Sequence, residues 1–189
     1  MAWVTPQMGQ PSKRRQNRAS MPECPSSVQL VPYLARRDLP LLRIWLDRPH
    51  VSPWWGDPQE VLTHASEHPP DMHRIIAVDG EPVGYVCWQS LSAKELSAAG
   101  LGALPPDHID VDILIGEDES IGRGIGPQAL SAVIAQLRSA GVSSVGLATD
   151  EDNQRARRAF EKAGFRLYHA FEEAGRHWCY FTIPLRSAV

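Results

Sequence analysis

Cysteine is scarce in this 189-residue chain: Cys24, Cys87 and Cys179 are the only three. Their odd number and the lack of any C-x-x-C spacing exclude a disulfide framework and a zinc signature, so no metal is expected. Cys87 and Cys179 lie in apolar, strand-like runs, where free thiols are usually buried. A basic excess is missing too. The 19 Lys and Arg stand against 22 Asp and Glu, a net charge of −3, so no nucleic-acid partner is expected. No uninterrupted apolar run is long enough to span a membrane, and the N-terminus lacks a signal peptide's apolar stretch. The expectation is a soluble, cytoplasmic protein, monomeric or homodimeric, with no membrane partner.

Core-forming residues are also sparse at the start. Residues 1–26 carry Pro6, Pro11, Pro22 and Pro25, several Gln and Ser, and the basic group Lys13, Arg14, Arg15 and Arg18. A disordered or loosely ordered arm is expected there. Residues 27–189 are left as one domain.

Within that domain the patterning is mixed α/β. Val28–Tyr33 reads as a strand. Asp38 is placed to cap a helix through Leu41, Leu42, Trp45 and Leu46. A loop containing Trp54 and Trp55 follows, then a helix with Val61, Leu62 and Ala65. Asp79-Gly80 marks a hairpin between strands 74–78 and 82–89. The long connection 91–107 carries a short helix near 93–99. Ile109, Val111, Ile113 and Ile115 alternate with Asp110, Asp112 and Leu114, which is strand periodicity. An amphipathic helix through Leu137 follows, then a strand at 144–148, a helix from about Asn153, and two closing strands.

The run Ile121-Gly122-Arg123-Gly124-Ile125-Gly126 lies between a strand and a helix. Glycines let backbone approach a phosphate, and a helix N-terminus offers unpaired N–H groups. Alone, such a run is equally a tight turn. It lacks the Gly-Lys-Ser/Thr of a Walker loop and falls too late in the chain for a dinucleotide fingerprint. One helix and one strand later stands Asn153-Gln-Arg-Ala-Arg-Arg-Ala-Phe-Glu-Lys-Ala-Gly-Phe165. The pair resembles the GNAT N-acetyltransferases. The resemblance implies an α/β (α+β) fold with a mixed, mostly antiparallel sheet, flanked by helices and splayed at the acetyl-CoA site. It implies acetyl-CoA held by Ile113, Ile115, the turn from Ile121 to Gly126, Asn153, Arg157 and Phe160. Two departures stand out. Ile121 replaces a frequent Gln or Arg, and Phe160 replaces a frequent Tyr whose hydroxyl serves as general acid.

Trp54-Trp55-Gly56, Gly80-Glu-Pro-Val-Gly-Tyr85 and Ile109-Asp-Val-Asp112 look like the aminoglycoside 6'-N-acetyltransferases, with the likeness running patchily from about residue 30 to 185. An acceptor that is a polycation with many hydroxyls needs carboxylates and flat apolar walls. Asp110 and Asp112, two apart on a strand, share a face. Trp54, Trp55, Tyr85, Glu95, Asp110, Asp112 and Asp150 are the candidate acceptor-binding residues. Each carboxylate has salt bridging as its structural alternative, and each aromatic has core packing. By resemblance Asp112 holds or deprotonates the amine. The expected oxyanion donor is a backbone N–H of the central strand, Leu114 or its neighbours up to Gly116. The alternatives left open are a 2'-amine acceptor of the kasugamycin kind, a siderophore- or polyamine-type acyltransferase, and a CoA-binding sensor without turnover.

Overall fold

The computed structural model describes residues 27–173 and 175–186. The expected arm at residues 1–26, with Cys24, lies outside the described residues. The element order is β1 (Val28–Pro32), α1 (Ala35–Leu46), α2 (Pro58–Glu67), β2 (His73–Val78), β3 (Glu81–Ser90), α3 (Ala93–Ala98), β4 (Ile109–Ile115), α4 (Ile125–Ser139), β5 (Ser144–Asp150), α5 (Gln154–Lys162), β6 (Arg166–Glu173) and β7 (Arg176–Pro184). The strands form one seven-stranded sheet ordered β1-β2-β3-β4-β5-β7-β6. Neighbours are antiparallel throughout, apart from the parallel pair β4–β5. No described helix is long and apolar enough to cross a membrane.

Alternation sends each strand's side chains to two different layers. On one face Val86, Trp88 and Val111 pack under α4 and α5 with Leu130, Val133, Leu137, Phe160 and Phe181. On the other, Ile75, Tyr85, Cys87 and Leu114 pack against Leu42, Trp45 and Leu46 of α1 and Leu62 and Ala65 of α2. Cys87 and Cys179 are both buried free thiols. The β2–β3 hairpin turns at Asp79 and Gly80, both with positive φ (54° and 90°), as the Asp-Gly pair implies.

Asp38 is a correction. It does not cap α1, which begins at Ala35 behind an N-cap Leu34 that makes no side-chain cap. Asp38 instead sits inside the first turns and reaches back to accept the Leu34 N–H at 2.7 Å, while pairing with Arg37 at 2.6 Å. A carboxylate near an N-terminus satisfies orphan amides from within as well as from the cap.

Trp45, fully buried, stacks where β4 ends. A Cβ on Gly116 would meet its indole at 2.0 Å. Its Nε1–H donates to Glu117 at 2.8 Å, and Arg48 donates to the same carboxylate. This contact pins α1, and the loop that follows it, to the mouth of the sheet. Gly116→Ala is therefore expected to destabilise the fold by about 1–3 kcal/mol through overpacking. It should be read as a lower urea midpoint with an unchanged slope.

Candidate active site

The sheet opens between β4 and β5. They pair only at Ile109↔Val145 and Asp110↔Gly146, whereas β3 stays paired with β4 up to Ile115. Gly116 N–H donates to the Val83 carbonyl at 2.8 Å, on the β3 side. Amides alternate sides along a strand, so Leu114 N–H also faces β3, and those of Ile113 and Ile115 face the gap. Of the expected stretch Leu114 to Gly116, only the Ile115 amide faces the gap, alongside that of Ile113. The Ile115 carbonyl, aimed the same way, meets His50 Nε2 at 3.0 Å.

A cavity of about 520 Å³ fills the gap. Ile113, Leu114, Ile115, Ile121, Gly126, Asn153, Ala156 and Phe160 line it, with Trp54, Trp55 and Pro53 along one wall. The size is that of a small-molecule site. At its end the glycine turn bends through Gly122 and Gly124, both left-handed (φ 76° and 78°), a conformation that strains other residues. Gly124 is the N-cap of α4, so the first α4 amides have no carbonyl partner within the helix. The turn offers backbone and Arg123, not side-chain bulk. Ile125 itself is buried in the core and contributes only its amide.

On the opposite wall Asn153 caps α5, its side chain accepting the Ala156 N–H at 3.1 Å, and also lines the cavity. Phe160 is buried edge-to-face on Phe181 and brings no proton donor. Arg157 turns to the Glu151 carbonyl at 3.1 Å, and Arg155 and Arg158 line the cavity in its place. Spacing alone did not show which arginine of the run faces inward, because Asn153 sets the helical phase.

Asp110 and Asp112 share the face that carries Cys87 and Tyr85. Asp112 is exposed to solvent and Asp110 is half-buried, one and three residues before the cavity-lining Ile113. Among the described residues neither is ion-paired. Surrounding protein pushes both carboxyls well above the usual carboxylate range, and for Asp110 the Asp112 charge adds to this. Asp110 accepts the Tyr180 hydroxyl at 2.7 Å. His108 lies behind Tyr180 at 2.8 Å and meets Ser144 at 2.7 Å. Burial lowers the His108 pKa to about 4, so it is neutral. With Tyr180 donating to Asp110, Nε2 of His108 carries the proton and Nδ1 accepts from Ser144. The sequence reading missed this chain of partners. Its one signal was Gly146, where a Cβ would meet the Tyr180 ring at 2.5 Å, leaving only glycine room for the tyrosine to cross β5.

Three other candidates are placed differently from expectation. Tyr85 is 1% exposed and bonds His73 Nδ1 at 2.5 Å, so it packs in the core with Trp55 against it. The Glu95 carboxylate accepts the Ser92 amide at 2.7 Å in a capping box that starts α3, which also lowers its pKa. Asp150 accepts the Asp152 N–H at 2.9 Å and pairs with Arg176 at 2.7 Å, and these hold its pKa down.

The raised pair has a signed consequence. A carboxyl whose folded pKa lies above its unfolded value leaves the native state holding more protons, so stability falls as pH rises through the folded pKa. Asp110→Asn keeps an acceptor for Tyr180. It is expected to raise the thermal midpoint at pH 8 by about 2 °C, with the gain shrinking toward pH 4.5. A gain equal at both pH values would show that Asp110 titrates normally.

Residues 35–172 match the acetyltransferase (GNAT) domain family. Among curated proteins, the aminoglycoside N(6')-acetyltransferase type 1 of Klebsiella pneumoniae is 27% identical over 149 residues, covering 70% of this chain and 71% of that protein, and its counterpart from Serratia marcescens matches equally. Among solved structures, aminoglycoside acetyltransferase AAC(6')-Ib in complex with coenzyme A superposes with a TM-score of 0.66 at 24% identity, covering 84% of this chain and 95% of that one. At that identity the likeness speaks for the fold. The match over most of the chain, the splayed sheet and the glycine turn together place it: the chain belongs to the GNAT acetyltransferase family, and is an N-acetyltransferase that uses acetyl-CoA.

Proposed function

We propose that the acceptor is an aminoglycoside and that the 6'-amine receives the acetyl group, a modification that removes a drug cation and so confers resistance. The observation that carries this is the Asp110–Asp112 pair. Two carboxylates stand on one face of β4, where it leaves β5 and runs on into the cavity wall, and among the described residues no cation of the chain neutralises them. Adjacent carboxylates in such a place repel one another, and a cationic ligand relieves that cost. The curated relatives named as 6'-acetyltransferases support the same choice. Trp54 and Trp55, half-exposed along the cavity wall, supply flat apolar surface for sugar rings.

When bound, acetyl-CoA supplies an acetyl thioester for attack by an amine. The residues fit it: amides of the glycine turn and the α4 N-terminus for its phosphates, the cavity between β4 and α5 for its length. Asp112, exposed next to the cavity-lining Ile113, takes the proton of the incoming ammonium. Asp110, held by Tyr180, stays the acceptor that keeps a cation in place. The amides of Ile113 and Ile115 are the donors for oxyanion charge. Phe160 donates nothing, so the proton for the departing thiol comes from water.

A 2'-amine reading rests on the connection 91–107. Its Leu96 and Leu101 pack on Tyr180, beside Asp110, and shape the acceptor side differently from a bare cleft. Thiol release from acetyl-CoA against kanamycin, tobramycin, gentamicin, kasugamycin, a polyamine and a hydroxylamine separates the readings. Release with drugs carrying a 6'-amine supports the proposal; release with kasugamycin alone moves the site to 2'; silence with every aminoglycoside sinks the resistance function.

Asp112→Asn is expected to lower kcat with the preferred drug by about 100-fold or more. Acetyl-CoA affinity, measured by titration calorimetry, should stay within about twofold. Unchanged turnover would remove Asp112 from the chemistry.

A further inference from the structure

A third carboxylate lies on the same face of the sheet, and the chain itself occupies it. Asp150, Ala148 and Gly146 alternate along β5 on the face of Asp110, as the Asp110↔Gly146 pairing sets. Arg176, which begins β7, donates from Nε to Asp150 Oδ2 at 2.8 Å and from Nη2 to the same oxygen at 2.7 Å. Oδ1 is filled by the Asp152 amide. Nη2 also donates to the Pro53 carbonyl at 3.1 Å, in the loop that carries Trp54 and Trp55. The Asp150 side chain is 11% exposed and that of Arg176 42%. Its guanidinium also lies over the Trp178 ring, 5.3 Å from the centroid. A ligand approaching this face beside the cavity-lining Pro53 thus meets the guanidinium, with the carboxylate neutralised behind it.

We propose that Arg176 is a built-in stand-in for a substrate cation, which restricts the acceptor to amino sugars whose ammonium charge is concentrated at Asp110–Asp112 and which present hydroxyls, not further amines, toward Asp150. This rests on the aminoglycoside reading above and narrows it. A bare Asp150 would attract a second ammonium. The ion pair removes that attraction, and the exposed face of Arg176 adds like-charge repulsion, a specificity device built from a repulsive element. Two N–H donors converging on Oδ2 and support from Pro53 hold the guanidinium in place where a single flexible contact would let it swing away.

Arg176→Gln removes the charge while keeping a side-chain donor for the Pro53 carbonyl. The readout is kcat/KM, with acetyl-CoA saturating, for kanamycin B, kanamycin A (its 2'-hydroxyl counterpart) and the single-amine sugar 6-amino-6-deoxyglucose. Wild-type protein should favour kanamycin A over kanamycin B. Arg176→Gln should raise the kanamycin B to kanamycin A ratio about tenfold, the worth of one partly screened charge contact, and leave 6-amino-6-deoxyglucose within about twofold. Asp150→Asn/Arg176→Gln should lose the gain, because the carboxylate that attracts the extra amine is gone. An unchanged ratio in an active Arg176→Gln enzyme, or a gain that survives the double substitution, overturns the inference and leaves the aminoglycoside reading standing. If no amino sugar is acetylated by wild type or variant, while acetyl-CoA still raises the thermal midpoint of both, the aminoglycoside reading falls and this inference with it.

Discussion

The divergence of β4 from β5 governs everything else in the molecule. Strands that pair at two positions and then part leave backbone amides and carbonyls without a ladder partner, and such groups are costly to bury away from water. The gap therefore needs a ligand or a side chain to fill it. His50 takes one carbonyl, at Ile115. The amides of Ile113 and Ile115 stay aimed at the cavity, where an acyl oxygen would complete them. A regular seven-stranded sheet would have had neither the cavity nor the donors.

Holding such a gap open requires supports on both sides. Trp45, seated on Gly116 and tied to Glu117, anchors α1 and the tryptophan loop to the β1–β4 half. Phe160 and Phe181 join α5 to the β5–β7 half. Arg176 then bridges the two, reaching from β7 to the Pro53 carbonyl while it neutralises Asp150. Gly146 is open for a related reason: it lets Tyr180 cross β5 and set the hydrogen-bonding state of Asp110. Packing and the proposed site thus share residues, so core substitutions near positions 116 and 146 are expected to reach the site as well as stability.

Much of this was legible in the residues. The strand alternation at Ile109–Ile115, the glycine turn, and the Asn153 cap with its apolar face at Ala156, Ala159 and Phe160 marked out the elements that border the cavity, since helix phase and left-handed turns are local properties. The Asp110–Asp112 spacing placed two carboxylates on one face for the same reason. Glu95, Asp150 and Tyr85 were harder. Each is a plausible ligand group by type, and each is consumed by a partner: the Ser92 amide next to its own helix start, Arg176 on another strand, and His73 on β2. Glu95 was the nearest to readable, because Ser92 stands three residues before it in a capping-box pattern. Arg157 turns to the Glu151 carbonyl, while Arg155 and Arg158 line the cavity.

The sequence by itself determined the order of elements, the family motif and the chemistry available along one strand, because propensities, caps and alternation act within a few residues. Only the tertiary structure decided which β4 amides face the gap, that Tyr180 and His108 stand behind Asp110, and that Arg176 closes Asp150. Those depend on strand register and on contacts between residues 26 to 123 positions apart in the chain, which no local pattern specifies.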